Sequence, residues 1–195
     1  MRLRFFLLLL ILLAGCGKAE PTLPSHAIDI SWRYEQVAAD FKLADATGKA
    51  RSLSDFRGKV VVLFFGYTHC PEVCPTTLAD LAQAMRLLGA EAEKVQVLFV
   101  TLDPERDTPE VLAKYVPSFN SSFLGLYGDA DATAQAAKVF AVSYEKHEEK
   151  NGYTLDHSDG AYLIGKSGKA VLLSPYGQPT ELLVEDIKLL LGLAH

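Results

Sequence analysis

The residues with the most chemistry in this chain stand together, as Gly66-Tyr67-Thr68-His69-Cys70-Pro71-Glu72-Val73-Cys74-Pro75-Thr76. The segment holds two of the three cysteines. A thiolate is both a nucleophile and a soft metal ligand. Redox pairs of the C-x-x-C kind place two residues between the sulfurs. Three separate Cys70 from Cys74. A loop of that length can close a disulfide or turn both sulfurs toward one metal ion. Pro71 and Pro75 brace it, which argues against two incidental buried cysteines.

A metal site would need a third ligand, and the chain offers five histidines. His26 lies near the start and His195 ends the chain. His147 sits inside the charge run 145–150, the mark of a solvated strand end or loop. His69 adjoins Cys70, but neighbouring side chains on an extended segment point apart. His157 stands just ahead of Ala161-Tyr162-Leu163-Ile164, an expected strand. Composition alone does not bring it to Cys70.

The elements around these residues can be read from periodicity. Val60 to Phe65 is apolar throughout, as befits a central strand covered on both faces. After Thr76, Leu78, Leu81, Ala82, Met85 and Leu88 recur at helical spacing. Cys70 therefore falls just past the C-terminal end of a strand, where open α/β sheets gather their sites. Pro75 suits the first turn of the helix. Cys74 would stand at or near the N-cap, where the dipole favours a thiolate.

Val95 to Thr101 and Phe123 to Tyr127 are further strands. Thr108-Pro109-Glu110 is a helix start with a hydroxyl cap, a first-position proline and an acid. Residues 131–142 form an Ala-rich helix. Asp45-Ala46-Thr47-Gly48-Lys49, Asn151-Gly152 and Lys166-Ser167-Gly168-Lys169 mark hairpin turns. The last helix begins at Thr180, with Leu183, Ile187, Leu190 and Leu191 on one face. The order is β-hairpin, βαβαβα, β-hairpin, α. It predicts an α/β fold with a mixed sheet, a parallel βαβ core, flanking helices and added β-hairpins.

The N-terminus reads as an export signal. Met1-Arg2-Leu3-Arg4 is basic, and the apolar run from Phe5 to Leu13 is far shorter than the ~20 residues of a spanning helix. Leu13-Ala14-Gly15-Cys16 resembles the bacterial lipoprotein processing box, which implies cleavage after residue 15 and lipidation of Cys16. Residues 1–15 are then the signal peptide, 16–32 a tether with Pro21 and Pro24, and 33–195 one domain. Cleavage removes Arg2 and Arg4 and no acid, taking the formal charge from −5 to −7. That balance argues against nucleic acid and against electrostatic docking on anionic lipid. Membrane contact would come through the lipid, on the periplasmic or extracytoplasmic face. Such a compartment permits disulfides.

Three motifs in order carry a family resemblance. They are Gly66 to Pro75, then Thr101-Leu102-Asp103-Pro104-Glu105-Arg106-Asp107-Thr108-Pro109, then His157 ahead of Tyr162-Leu163-Ile164. Together they resemble the Sco/SenC family, membrane-bound copper chaperones of thioredoxin-like fold, from about residue 35 onward. The resemblance implies that Cys70, Cys74 and His157 bind copper, as Cu(I) or Cu(II). It implies a supporting or partner-contacting role for Asp103. A cap on the turn before Pro104, or a pairing with Arg106, is the structural alternative. It implies delivery of copper to the CuA centre of cytochrome c oxidase, with subunit II or another copper chaperone as partner and no small substrate turned over. The anchor departs from the family pattern, being a lipidated cysteine instead of a spanning helix. The rival expectation is a thiol–disulfide oxidoreductase or thiol peroxidase that uses the Cys70/Cys74 redox disulfide alone. A copper-responsive redox sensor would use the same residues.

Overall fold

The computed structural model describes residues 25–34, 40–150 and 152–192. The expected signal peptide and Cys16 lie outside the described residues. Chain order gives β1 (Ile28–Asp29), β2 (Leu43–Asp45), β3 (Ala50–Arg51), β4 (Val60–Gly66), α1 (Val73–Leu88), β5 (Val95–Thr101), α2 (Pro109–Phe119), β6 (Leu124–Tyr127) and α3 (Ala130–Val139). There follow β7 (Tyr144–Glu149), β8 (Gly152–His157), β9 (Ala161–Ile164), β10 (Ala170–Ser174) and α4 (Thr180–Leu191).

Eight strands form one sheet in the order β1-β10-β9-β4-β5-β6-β2-β3. Strands β4, β5 and β6 run parallel, and β9 and β2 add antiparallel on either side. This is the mixed α/β sheet with a parallel core that the alternating pattern predicts, and it agrees with the thioredoxin-like fold that the family resemblance implies. Every residue of β4 is buried, which explains its unbroken apolar run. Among the described residues β7 and β8 pair only with each other, in a second sheet.

Register decides what meets at the sheet's edge. Gly66 pairs with Thr101 at the last position of β4 and β5, so the dithiol loop and the 103–107 turn leave the sheet side by side. Strand β9 runs antiparallel to β4 with Ala161 opposite Phe64. The chain entering β9, which carries His157, therefore arrives at that same edge.

Two helix boundaries differ from the sequence reading. Helix α1 begins at Val73 instead of Thr76, with Pro75 inside its first turn. That is tolerated because the first four helical N–H groups have no intrahelical acceptor. Helix α3 stops at Val139 instead of residue 142. Ala141 takes a positive φ of 54°, and the Val142 N–H bonds back to the Ala137 carbonyl at 2.8 Å.

The tether reading through residue 32 also runs too far into the domain. Ile28 and Asp29 pair with β10, Ala27 and Ile30 are buried, and the His26 N–H donates to Asp186 Oδ1 at 2.7 Å. A two-residue edge strand is too short to show a period of two. Among the described residues no helix is long and apolar enough to cross a membrane.

Candidate metal centre

The dithiol loop is shaped by a close approach to the sheet. Cys74 is fully buried, with its sulfur lying over the end of β4. A Cβ at Gly66 would stand 2.7 Å from Cys74 Sγ and 3.1 Å from the Phe99 ring. No side chain fits there, which gives Gly66 a role that its place in the motif did not reveal. The Cys74 N–H, free in the first helical turn, donates to Cys70 Sγ at 3.3 Å. Cys70 is half-buried, and both thiols are free.

His157 ends β8 and faces the same sulfur. Its Nε2 lies 3.5 Å from Cys74 Sγ, and its Nδ1 lies 2.8 Å from the Ser158 carbonyl. A carbonyl only accepts, so Nδ1 carries the proton in the neutral ring. The Nε2 lone pair is left toward the thiols, as a metal-ligating imidazole requires. The ring is held edge-on against Phe64 and Tyr67, at 6.3 and 5.9 Å between centroids.

Cys70, Cys74 and His157 thus offer two sulfurs and a nitrogen, all within 4.8 Å of one another. A cleft of about 370 Å³, lined by Tyr67, Cys70, Glu72, Leu155 and His157 among others, opens onto Cys70 and His157. Two thiolates and one imidazole make a soft, three-coordinate set suited to Cu(I). Structural zinc takes a fourth protein ligand.

One electrostatic expectation is overturned. The helix N-terminus was expected to favour the Cys74 thiolate. Burial pushes this thiol well above the usual range instead, and the Tyr67 backbone hydrogen bond only partly offsets it. At the second position of α1 the side chain points into the core, where loss of water outweighs the dipole. Burial thus favours the protonated thiol at Cys74, and a metal ion that binds the thiolate must displace that proton.

A second cluster, His69, Asp103 and Asp107, also converges within 4.8 Å. Its oxygens are already engaged. Asp107 Oδ1 accepts from Thr68 Oγ1 at 2.6 Å, and Oδ2 accepts from Thr68 N and Thr101 Oγ1 at 2.9 and 2.7 Å. Asp103 Oδ1 accepts from the Tyr153 hydroxyl at 2.7 Å, and Oδ2 pairs with Arg106 Nε. This is a hydrogen-bonded brace and not a cation site.

Asp103 is buried at the C-terminal end of β5, and its pairing with Arg106 was one of the two structural alternatives. Asp107 and Tyr153 were not singled out from sequence. No local pattern marks a carboxylate whose partners lie 39 residues away. The remaining described histidines stand apart from the thiols. His26 pairs with Glu185, exposed His69 contacts Thr68 Oγ1, and His147 pairs with Asp156.

The SCO1/SenC family model matches residues 32–192. The chain belongs to the SCO1/SenC family. The mouse mitochondrial SCO2 homologue is 35% identical over 195 residues, covering 93% of this chain and 76% of that protein. The bovine SCO2 homologue is 44% identical over 133 residues, and the match spans 50% of its length. The structure of Bradyrhizobium japonicum ScoI with copper bound superposes with a TM-score of 0.71 at 37% identity, covering 76% of this chain and 96% of that one. Apo Sco1 from Thermus thermophilus superposes with a TM-score of 0.71 at 43% identity, covering 78% and 90%.

Proposed function

We propose that this protein is a copper carrier that holds its cargo through Cys70, Cys74 and His157. It would deliver that copper to the CuA centre of cytochrome c oxidase, with subunit II or another copper chaperone as partner. The observation that carries the reading is the convergence of two sulfurs and an imidazole nitrogen from separate elements, with Cys70 and His157 lining one open cleft. The copper held by the related ScoI supports it. Transfer needs ligands that a partner can reach. Cys70 and His157 are half-exposed, while Cys74 supplies a buried anchor.

Anaerobic Cu(I) titration followed by X-ray absorption tests the ligand set. The expected result is one copper per chain with two sulfur and one nitrogen neighbours, and loss of the nitrogen in His157→Ala. An unchanged nitrogen shell in that variant would remove His157 from the set.

A second reading, dithiol exchange by Cys70 and Cys74 alone, draws on the same two free thiols. It gives no reason for an imidazole beside Cys74. The domain in this proposal spans 33–195 together with the β1 segment, and is exported and tethered by a lipid on Cys16. Cys16→Ser should move the protein from the membrane to the soluble fraction with its copper stoichiometry intact. Continued membrane retention of that variant contradicts the tether.

A further inference from the structure

The hairpin that carries His157 has little to hold it. Among the described residues β7 and β8 pair with no other strand, every residue of β7 is exposed, and in β8 only Leu155 is buried. An isolated two-stranded hairpin is marginal in water at best. Yet the third ligand of the proposed copper set sits at its end, so something must fix it against the body.

The fixing contacts converge on Tyr153. Residues 153, 155 and 157 share one face of β8, since side chains alternate along a strand. The Tyr153 hydroxyl donates to Asp103 Oδ1 at 2.7 Å, and Arg106 Nη1 donates to the Tyr153 carbonyl at 2.9 Å. The Arg106 guanidinium lies over the Tyr153 ring at 3.6 Å, and Lys146 Nζ lies 3.7 Å from the same ring. Lys146 also reaches Glu105 at 3.2 Å. Leu155, the next residue on that face, donates its N–H to the Tyr67 hydroxyl at 3.3 Å.

The receiving side is a single rigid turn. Asp103 is 3% exposed, its N–H bonds to Thr101 Oγ1, and its carbonyl accepts from the N–H groups of Arg106 and Asp107. Asp107, in the same turn, holds Thr68 of the dithiol loop through two hydrogen bonds. One five-residue turn therefore grips the thiol loop with one carboxylate and the histidine hairpin with the other.

We propose that Asp103, Arg106 and Tyr153 form a clasp that positions His157 over the dithiol. In this arrangement the 103–107 turn sets the spacing between the sulfur ligands and the nitrogen ligand. The three are positioning residues. Releasing the clasp frees the hairpin, withdraws the imidazole and leaves a two-sulfur site, without disturbing either cysteine. The clasp rests on the copper reading only in its consequence for metal binding, because the docking of the hairpin is a property of the metal-free chain.

The test uses Tyr153→Phe, which keeps the ring and loses the bond to Asp103, and Arg106→Ala, which loses the stack and the carbonyl contact. The first readout is amide hydrogen exchange of the reduced, metal-free protein. Exchange across 144–157 should accelerate roughly tenfold or more, as loss of a hydrogen bond to a charged acceptor implies. Exchange in β4 and β5 should stay at the native rate. The second readout is Cu(I) affinity by chelator competition, with His157→Ala as reference. The clasp variants should bind about 10- to 100-fold more weakly, as supporting partners of a metal ligand typically do.

Native exchange across the hairpin in both variants overturns the clasp. Fast exchange with native copper affinity, in a protein where His157→Ala does bind more weakly, overturns the positioning role. If His157→Ala itself binds copper as the native chain does, the copper reading fails, and the exchange rates still decide the clasp.

Discussion

Cys74→Ala is expected to abolish tight, stoichiometric Cu(I) binding, and Cys70→Ala to do the same. Each removes one of only two soft ligands. What remains is a single thiol and an imidazole, a set with no special preference for Cu(I). The two variants should differ in the metal-free state. Cys74 fills a fully buried position over Gly66, so its truncation also leaves a cavity. Cys70 is half-exposed, and its loss should leave the melting temperature near native. Competition titration against a chromophoric chelator measures the first effect and thermal unfolding the second. Full stoichiometry and affinity in both single-cysteine variants would sink the copper assignment.

Asp107→Ala is expected to be the most destabilising single substitution around the site. Its side chain is fully buried and accepts three hydrogen bonds, from Thr68 N, Thr68 Oγ1 and Thr101 Oγ1. Removing the acceptor leaves a buried hydroxyl and a backbone N–H without partners, at a cost of about 3 kcal/mol. In a domain of this size that lowers the midpoint of thermal unfolding by roughly 6–12 °C. Asp107→Asn keeps one acceptor oxygen and should fall between. Calorimetry of the reduced, metal-free protein checks this, and a midpoint for Asp107→Ala within about 2 °C of native contradicts it. The loop carrying Cys70 loses its tie to the 103–107 turn in the same variant, so copper affinity should fall as well.

The parallel core was legible because its signals are local. An unbroken apolar run in β4, helical spacing in α1, and a hydroxyl–proline start to α2 each report a backbone choice made within a few residues. Thr108 does cap α2, its side chain accepting from the Val111 N–H. The β7–β8 and β9–β10 hairpins were marked by turn residues, which act over the same short range. The β1 strand was missed because two residues of edge pairing, held by contacts to β10 and to Asp186, carry no period.

The site divides along the same line. From residue types and spacing alone, the chain declares a dithiol after a buried strand, with chemistry that is either redox or soft-metal. Its motifs, taken together, declare a family. The bare sequence did not contain the distance from Cys74 to His157, 83 residues apart, because the register of β9 on β4 creates it. Nor did it contain the state of the Cys74 thiol. Sequence places that residue at a helix start, where the dipole favours charge. Only its packing over Gly66 reveals that burial dominates. The sharing of one turn between both halves of the ligand set was equally invisible. Hydrogen bonds from Asp107 to Thr68 and from Tyr153 to Asp103 join segments 39 and 50 residues apart. Local propensity falls off within a few residues, whereas the side-chain contacts that build a site depend on which strand ends the tertiary fold sets side by side.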